Sequence, residues 1–192
     1  MDRTPARPRV LAVVLLATIA LLGGALPAQA SDDPWCSIRW GSLPEAAAPA
    51  YPSGTVADVR AGQHPCFDRL VVDLHAAYAT SGYAVRYVDQ VGAQGSGTPV
   101  HVRGGAVLQV IVGAPAYDDA YRPTHQPTDP IEVVDVVGSR TLRQVAWAGS
   151  FEGQTSLAVG TRARLPFRVF VLDGAPGAAD GARVVVDVAH HW

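Results

Sequence analysis

The chain has 192 residues, with 15 arginines and no lysine against 17 acidic side chains, for a formal charge of −2. That balance disfavours a nucleic-acid partner, which needs a basic face to neutralise phosphates. The absence of asparagine excludes N-glycosylation.

At the start, Arg3, Arg7 and Arg9 precede an apolar run from Val10 to Leu22 broken only by Thr18, and Ala28 and Ala30 form an A-x-A cleavage site. The run is shorter than the roughly 20 residues a membrane span needs, so residues 1–30 read as a cleaved signal peptide, with no transmembrane span afterwards. The mature chain would begin at Ser31 with 12 basic and 16 acidic side chains. Serine at that position, where a lipoprotein has cysteine, argues against lipid anchoring, and the lack of an Arg-Arg pair favours the general secretory route. The expected location is therefore secreted or extracellular.

Export places Cys36 and Cys66 in an oxidising setting, where two cysteines read as one disulfide. A metal site built from Cys66 and His64 would have two ligands at a spacing foreign to structural zinc sites, and no C-x-x-C supports a redox role. No metal and no cofactor are expected. Residues 31–53 are rich in alanine and proline and read as an extended leader tied back by Cys36, with Trp35 and Trp40 plugging a domain edge.

From residue 54 onward, short β-forming runs alternate with Gly and Pro turns. Strands are expected over residues 55–60, 67–75, 83–88, 106–112, 131–137, 142–148, 155–159, 167–172 and 183–189. No stretch carries a helical stripe. The fold class is all-β, an antiparallel β-sandwich or partly closed barrel. Residues 116–130 form a connection too long for a plain turn, and loops of that length tend to be functional or mobile. Its aspartates lack the ordered ligand spacing of a calcium loop, so a solvated acidic loop is expected.

Two runs repeat a pattern: Arg69, Leu70, Val71, Val72, Asp73, Leu74 and Arg183, Val184, Val185, Val186, Asp187, Val188. With period two, each has one aliphatic face for the core and one face of Arg, Val and Asp. Within a run, Arg and Asp stand roughly 13 Å apart, too far to pair. If the runs are antiparallel neighbours with Val71 opposite Val185, Arg69 faces Asp187 and Asp73 faces Arg183.

Several of these segments, in order and spacing, resemble the AMIN-like domain of actinobacterial secreted proteins. They are residues 59–74, 82–88, 142–156, 166–170 and 183–188. The resemblance covers about residues 54–192. That family is similar to the AMIN domain, a β-sandwich found beside cell-wall amidases and secretion pores and linked to peptidoglycan binding. The resemblance implies an envelope-located binding module and no amidase activity.

Chemical motifs are few. The segments around Ser150 and Ser96 fail the G-x-S-x-G elbow, and there is no Walker loop or H-E-x-x-H. Asp73 with His75 and the pair His190–His191 read as surface or structural groups, since neither implies a nucleophile or a convergent metal pair. Glu152, Asp118 and Asp129 are the acids a glycosidase reading would use, but no linear pattern makes two of them converge. No catalytic residue is expected. The candidate ligand-binding residues are Trp147, Phe151 and Glu152, where a strand end runs into a glycine-flanked turn and a ring could stack on a sugar. Trp147 reads first as core, continuing the Val145 face, whereas Phe151 is expected to be exposed. The expected partner is cell-wall glycan or, alternatively, an envelope protein that pairs through a sheet edge; a secreted hydrolase is the third reading.

Overall fold

The structure is a computed structural model that describes residues 36, 38–48, 54–75, 82–174 and 181–192. The signal peptide expected over 1–30, and Trp35, lie outside the described residues. Among the described residues eleven strands form: β1 (Glu45–Ala47), β2 (Val56–Gln63), β3 (Phe67–Leu74), β4 (Tyr83–Val88), β5 (Val91–Gly92), β6 (Pro99–Val100), β7 (Ala106–Val112), β8 (Leu142–Phe151), β9 (Gln154–Thr161), β10 (Phe167–Leu172) and β11 (Arg183–Ala189). There is no helix among the described residues. All pairings are antiparallel, in one sheet of order β1-β4-β7-β9-β8, a second of order β10-β11-β3-β2, and a small β5-β6 hairpin. The expected β-sandwich is what forms.

The core between the two large sheets is aliphatic. Leu70, Val72 and Leu74 of β3 and Val184, Val186 and Val188 of β11 meet Leu108, Val110, Val112, Leu157 and Val159 of the first sheet. These are the inner faces that the period-two reading assigns. A smaller cluster lies on the opposite face of the first sheet, where Val91 packs on Ala146, Ala148 and Ala158. Alanines there let the hairpin region lie close to the sheet.

The β3–β11 register is the one the repeated runs imply, with Val71 opposite Val185, Arg69 opposite Asp187 and Asp73 opposite Arg183. One of the two cross-strand pairs forms. Arg69 donates Nε and Nη2 to the fully buried Asp187 carboxylate at 2.6 and 2.9 Å. Asp73 instead accepts both bonds of an Arg60 fork at 2.5 and 2.8 Å, because β2, on its other side, presents Arg60 diagonally to it. His75 is exposed beyond the strand end.

Polar clamps join the two sheets at their rims. Asp68 is fully buried and accepts the backbone N–H groups of Thr141 and Leu142 at 2.5 and 3.0 Å, with His190 Nε2 at 3.1 Å. His190 is thus a structural, buried residue, while His191 is exposed. The Tyr87 hydroxyl donates to the Leu165 carbonyl at 2.9 Å and accepts the Leu165 N–H at 3.0 Å. Burial pushes the pKa of that phenol up, against the opposing effect of the Leu165 bond.

Residues 41–47 dock on both sheets. β1 adds to β4, the Phe167 N–H donates to the Gly41 carbonyl at 2.8 Å, and the Val169 N–H donates to Glu45 Oε2 at 2.9 Å. One short arm therefore bridges an edge of each sheet, partly closing the sandwich. The strand is missing from the sequence reading because a three-residue run between prolines carries no periodicity. Trp40 lies over Phe67 at a centroid distance of 5.6 Å. Cys36 and Cys66 are joined, with Cα atoms 5.7 Å apart and a sequence separation of 30.

The strand expected over 131–137 does not form. That segment lies along β8 through separated bonds: Trp147 N–H to the Pro130 carbonyl at 2.7 Å, Gln144 Nε2 to the Ile131 carbonyl at 3.0 Å, and Val133 N–H to the Val145 carbonyl at 2.8 Å. Turns capped by Asp129 and Asp135 interrupt the ladder, while Val133 and Val134 still pack on the core. The segment covers the β8 edge without extending the sheet.

Two outcomes check this architecture. Asp187→Asn removes the buried charge held by two guanidinium groups and is expected to cost about 3 kcal/mol in chemical denaturation. Asp73→Asn, whose partner Arg60 is half exposed, is expected to cost about 1 kcal/mol or less. Equal losses would refute the view that burial separates the two pairs. Thiol labelling of native protein is expected to find no free cysteine, and reduction to lower stability by about 3 to 4 kcal/mol. Two reactive thiols without reductant would contradict the staple.

Candidate functional site

A cleft of about 620 Å³ opens where the 116–126 loop faces the β8–β9 turn, and Trp147, Phe151 and Glu152 all line it together with Tyr117, Tyr121, His125, Gln126 and Ser150. The sequence places these groups in separate segments; the fold brings them together.

A bulge in β8 aims the side chains. Between Trp147, opposite Leu157, and Ser150, opposite Thr155, β8 holds one residue more than β9. Gly149 takes φ of 99° there. The extra residue reverses the alternation, so Ser150 points inward beside Thr155 and Phe151 swings out. Phe151 is 50% exposed. The next two residues turn the chain back, with positive φ at Glu152 (49°) and Gly153 (78°), the pattern of a two-residue type I′ hairpin. Glu152 thus sits at the tip, its side chain exposed.

Trp147 stands between the core and the cleft. It is half-buried, packs against the main core, and its ring lies 5.6 Å from His125 at the cleft wall. Phe151 lies against Gly95 on its other side.

The 116–125 loop is folded on itself. The N–H groups of Thr124 and His125 donate to the Ala116 carbonyl at 2.9 and 3.4 Å, and Tyr117 bridges Pro123. Asp118 organises its tip: Oδ1 accepts the Ala120 and Arg122 N–H groups at 2.9 Å, and Oδ2 accepts Arg122 Nε at 2.8 Å. These bonds, the Arg122 guanidinium first, hold the Asp118 carboxyl below the usual aspartate range. Tyr121 is carried at φ of 59° and is 82% exposed, stacked on Tyr117 at 5.7 Å. Cross-links fix the loop to its surroundings: Ala116 N–H to Ser150 Oγ at 2.8 Å, Gly153 N–H to the Tyr117 hydroxyl at 3.2 Å, and Thr124 Oγ1 to the Val56 carbonyl at 2.9 Å.

Four rings and a few polar groups therefore surround one concavity. His125 Nε2 is buried with no hydrogen-bond partner among the described residues. Asp129 is exposed and its carboxylate caps the Ile131 N–H at 2.8 Å, away from the residues lining the cleft. Tyr117, Tyr121 and His125 are site residues that sequence reasoning did not single out; the length of the loop was the signal available for them. Among the described residues, no group of three or more His, Cys, Asp or Glu is placed to hold a metal ion.

Fold and cleft define a β-sandwich module with a loop-built, aromatic surface site. The AMIN-like domain model matches residues 54–190, most of the chain, and the chain belongs to the AMIN-like domain family. No curated protein and no solved structure matches it. Membership points to a cell-wall-associated, generally non-catalytic class of module, and the disulfide is the kind found outside the cytoplasm.

The Asp118 turn gives a pH-dependent outcome. A depressed carboxylate contributes order that is present above the unfolded pKa and lost as pH falls through the lower folded value. Tyr121 and Arg122 resonances are expected to stay unchanged down to the ordinary aspartate range and to shift only below it, in step with Asp118. An Asp118 midpoint at or above the usual value, followed by NMR, would contradict the clamp.

Proposed function

We propose that the chain is an exported, non-catalytic module of the cell envelope that binds cell-wall glycan in this cleft. The observation that carries the reading is the convergence of the Tyr117, Tyr121, Trp147 and Phe151 rings on one open concavity with Gln126, His125 and Glu152 beside them. Sugar rings present apolar faces that stack on aromatic side chains and hydroxyls that need polar partners, and the cleft offers both. The unpartnered His125 Nε2 is a further group for a ligand to satisfy. The proposed organisation is a signal peptide over 1–30, a leader over 31–53 and the domain from 54 onward, with secretion delivering it to the envelope.

The same geometry weighs against hydrolysis. Glycoside cleavage uses two carboxyl groups facing each other across the bond, and of the lining residues Glu152 alone carries one. Asp118 is committed to its turn. An adaptor role has one supporting observation, since among the described residues β2 pairs with β3 alone and leaves an edge of the second sheet without a strand partner.

Retention on purified, insoluble peptidoglycan tests the proposal. Tyr121→Ala and Phe151→Ala alter exposed rings, so the melting temperature is expected to hold while retention falls about tenfold for the pair. Retention equal to that of an unrelated acidic protein would sink the glycan reading. A single dominant cross-linked protein in cells, without wall retention, would replace it with the adaptor.

A further inference from the structure

The repeated Arg and Asp runs build a second surface, on the outer face of the second sheet, that the cleft does not use. Arg168, Asp187 and Arg69 stand side by side on β10, β11 and β3. Both guanidinium groups bond the one buried carboxylate, Arg168 through Nε at 2.9 Å and Nη2 at 2.8 Å. Rings surround them: Arg168 lies 4.4 Å from the Trp40 centroid and 5.1 Å from Phe170, and Arg69 lies 5.2 Å from Phe67 and 5.4 Å from Phe170. Ring contacts on top of the bonds to Asp187 restrict how each guanidinium can turn.

The charges on this face do not balance. Asp187 is shared by two arginines, and Asp73 is taken by Arg60. Arg183, which faces Asp73 in the register, makes no ion pair among the described residues, and its Nε is buried without a partner. Four arginines thus share this face with three aspartates, Asp73, Asp187 and Asp58, the last opposite Asp73 on β2 and capping the Val59 N–H, which leaves an excess of one positive charge. This excess of positive charge sits on a chain of net charge −2. The 116–135 segment beside the cleft has the opposite bias, with Asp118, Asp119, Asp129, Glu132 and Asp135 against Arg122.

We propose that this arginine face docks a phosphate-bearing polyanion of the cell envelope, an extended phosphodiester or polyphosphate chain, with Arg168 and Arg183 as principal contacts. A tetrahedral phosphate presents oxygens in several directions and can bridge guanidinium groups whose inner edges are already occupied, and Arg is the side chain suited to such forks. The face is a sheet surface, and the clefts found among the described residues lie elsewhere, which suits a long ligand laid across it rather than an enclosed small anion. Arg168, opposite Asp187, and Arg183 stand two rows apart on this face, roughly 13 Å along the strands, so they meet separate charges of an extended polymer rather than one small anion. The surface is independent of the glycan cleft, and either can fail without the other.

The test uses the oxidised protein and fluorescent long-chain inorganic polyphosphate, read by anisotropy at two salt concentrations. Arg168→Gln leaves Arg69 on Asp187, and Arg183→Gln breaks no ion pair, so both variants keep the buried carboxylate satisfied. Wild type is expected to bind with affinity that falls as salt rises. The double variant is expected to bind about tenfold more weakly, with a salt slope shallower by roughly 0.7 for each lost contact. Poly-glutamate is expected to bind wild type about tenfold more weakly than polyphosphate. Arg122→Gln, outside the face, is expected to leave binding unchanged. Should the double variant fail to fold, Arg183→Gln alone is expected to weaken binding about threefold. No binding by wild type, equal binding by wild type and the Arg183→Gln variant, equal affinity for poly-glutamate, or tighter capture by anionic lipid vesicles than by polyphosphate would each overturn the proposal.

Discussion

The register of β3 against β11 is fixed on both faces at once. Inside, Leu70, Val72 and Leu74 interleave with Val184, Val186 and Val188; outside, the Asp187 carboxylate is fully buried yet bonded by Arg69 and Arg168. A slip of β11 by one residue would turn Arg183 and Asp187 toward the core and push three valines outward. An ionised group placed in the aliphatic interior without partners costs several kcal/mol, more than any other pairing of these valine-rich strands could return. Valine runs alone are a poor register signal, because each looks like the next. The charged residues supply the difference between one pairing and its neighbours, so their value lies in specificity as much as in stability.

That pairing joins residues more than a hundred positions apart in sequence, and the second sheet is assembled from both ends of the domain. Polar clamps then hold the two sheets in place. Asp68 on β3 takes the N–H groups that open β8, Tyr87 on β4 takes both backbone groups of Leu165 just before β10, and Glu45 on the arm takes the Val169 N–H. The cleft loop inherits this stiffness. It is bound to β8 through Ser150 and to β2 through Thr124 and the Val56 N–H, which donates to the Pro115 carbonyl at 2.8 Å. A loop tied to both sheets can hold exposed rings in place, which lowers the ordering cost when a ligand arrives.

Much of this frame was legible in the residues. The spans 83–88, 106–112, 167–172 and 183–189 match the observed strands, because β-branched runs bounded by Gly and Pro have few other uses. The cysteine pair and the cross-strand placement of Arg69 and Asp187 were also readable, being questions of chemistry and parity. Residues 131–137 were misread because Ile131, Val133 and Val134 have strand composition, whereas their hydrogen bonds are set by capped turns and by the Gln144 side chain. The partner of Asp73 could not be foreseen without knowing that β2 lies beside β3. The cleft was visible only as two suspicious pieces, an over-long loop and a glycine-flanked turn. What joins them is the bulge at Ala148 and Gly149, and a single inserted residue leaves almost no mark in a hydrophobic pattern.

The placement of the aromatic residues separates frame from function. The core is built from valine, leucine and alanine, with Phe167 the one ring fully buried among the described residues. Few other rings are spent on filling volume. One set, Trp40, Phe67 and Phe170, lies on the outer face of the second sheet and clasps two arginines, so its faces are occupied by the protein's own cations. The other set, Tyr117, Tyr121, Trp147 and Phe151, encloses a cleft where Tyr121 and Phe151 remain largely open. An exposed ring buries nothing until a ligand covers it, so evenly scattered rings would have marked no site. Concentrated as they are, the rings give the two surfaces different chemistry. The first sets rings against the protein's own guanidinium groups, while the second leaves the Tyr121 and Phe151 rings largely open to solvent.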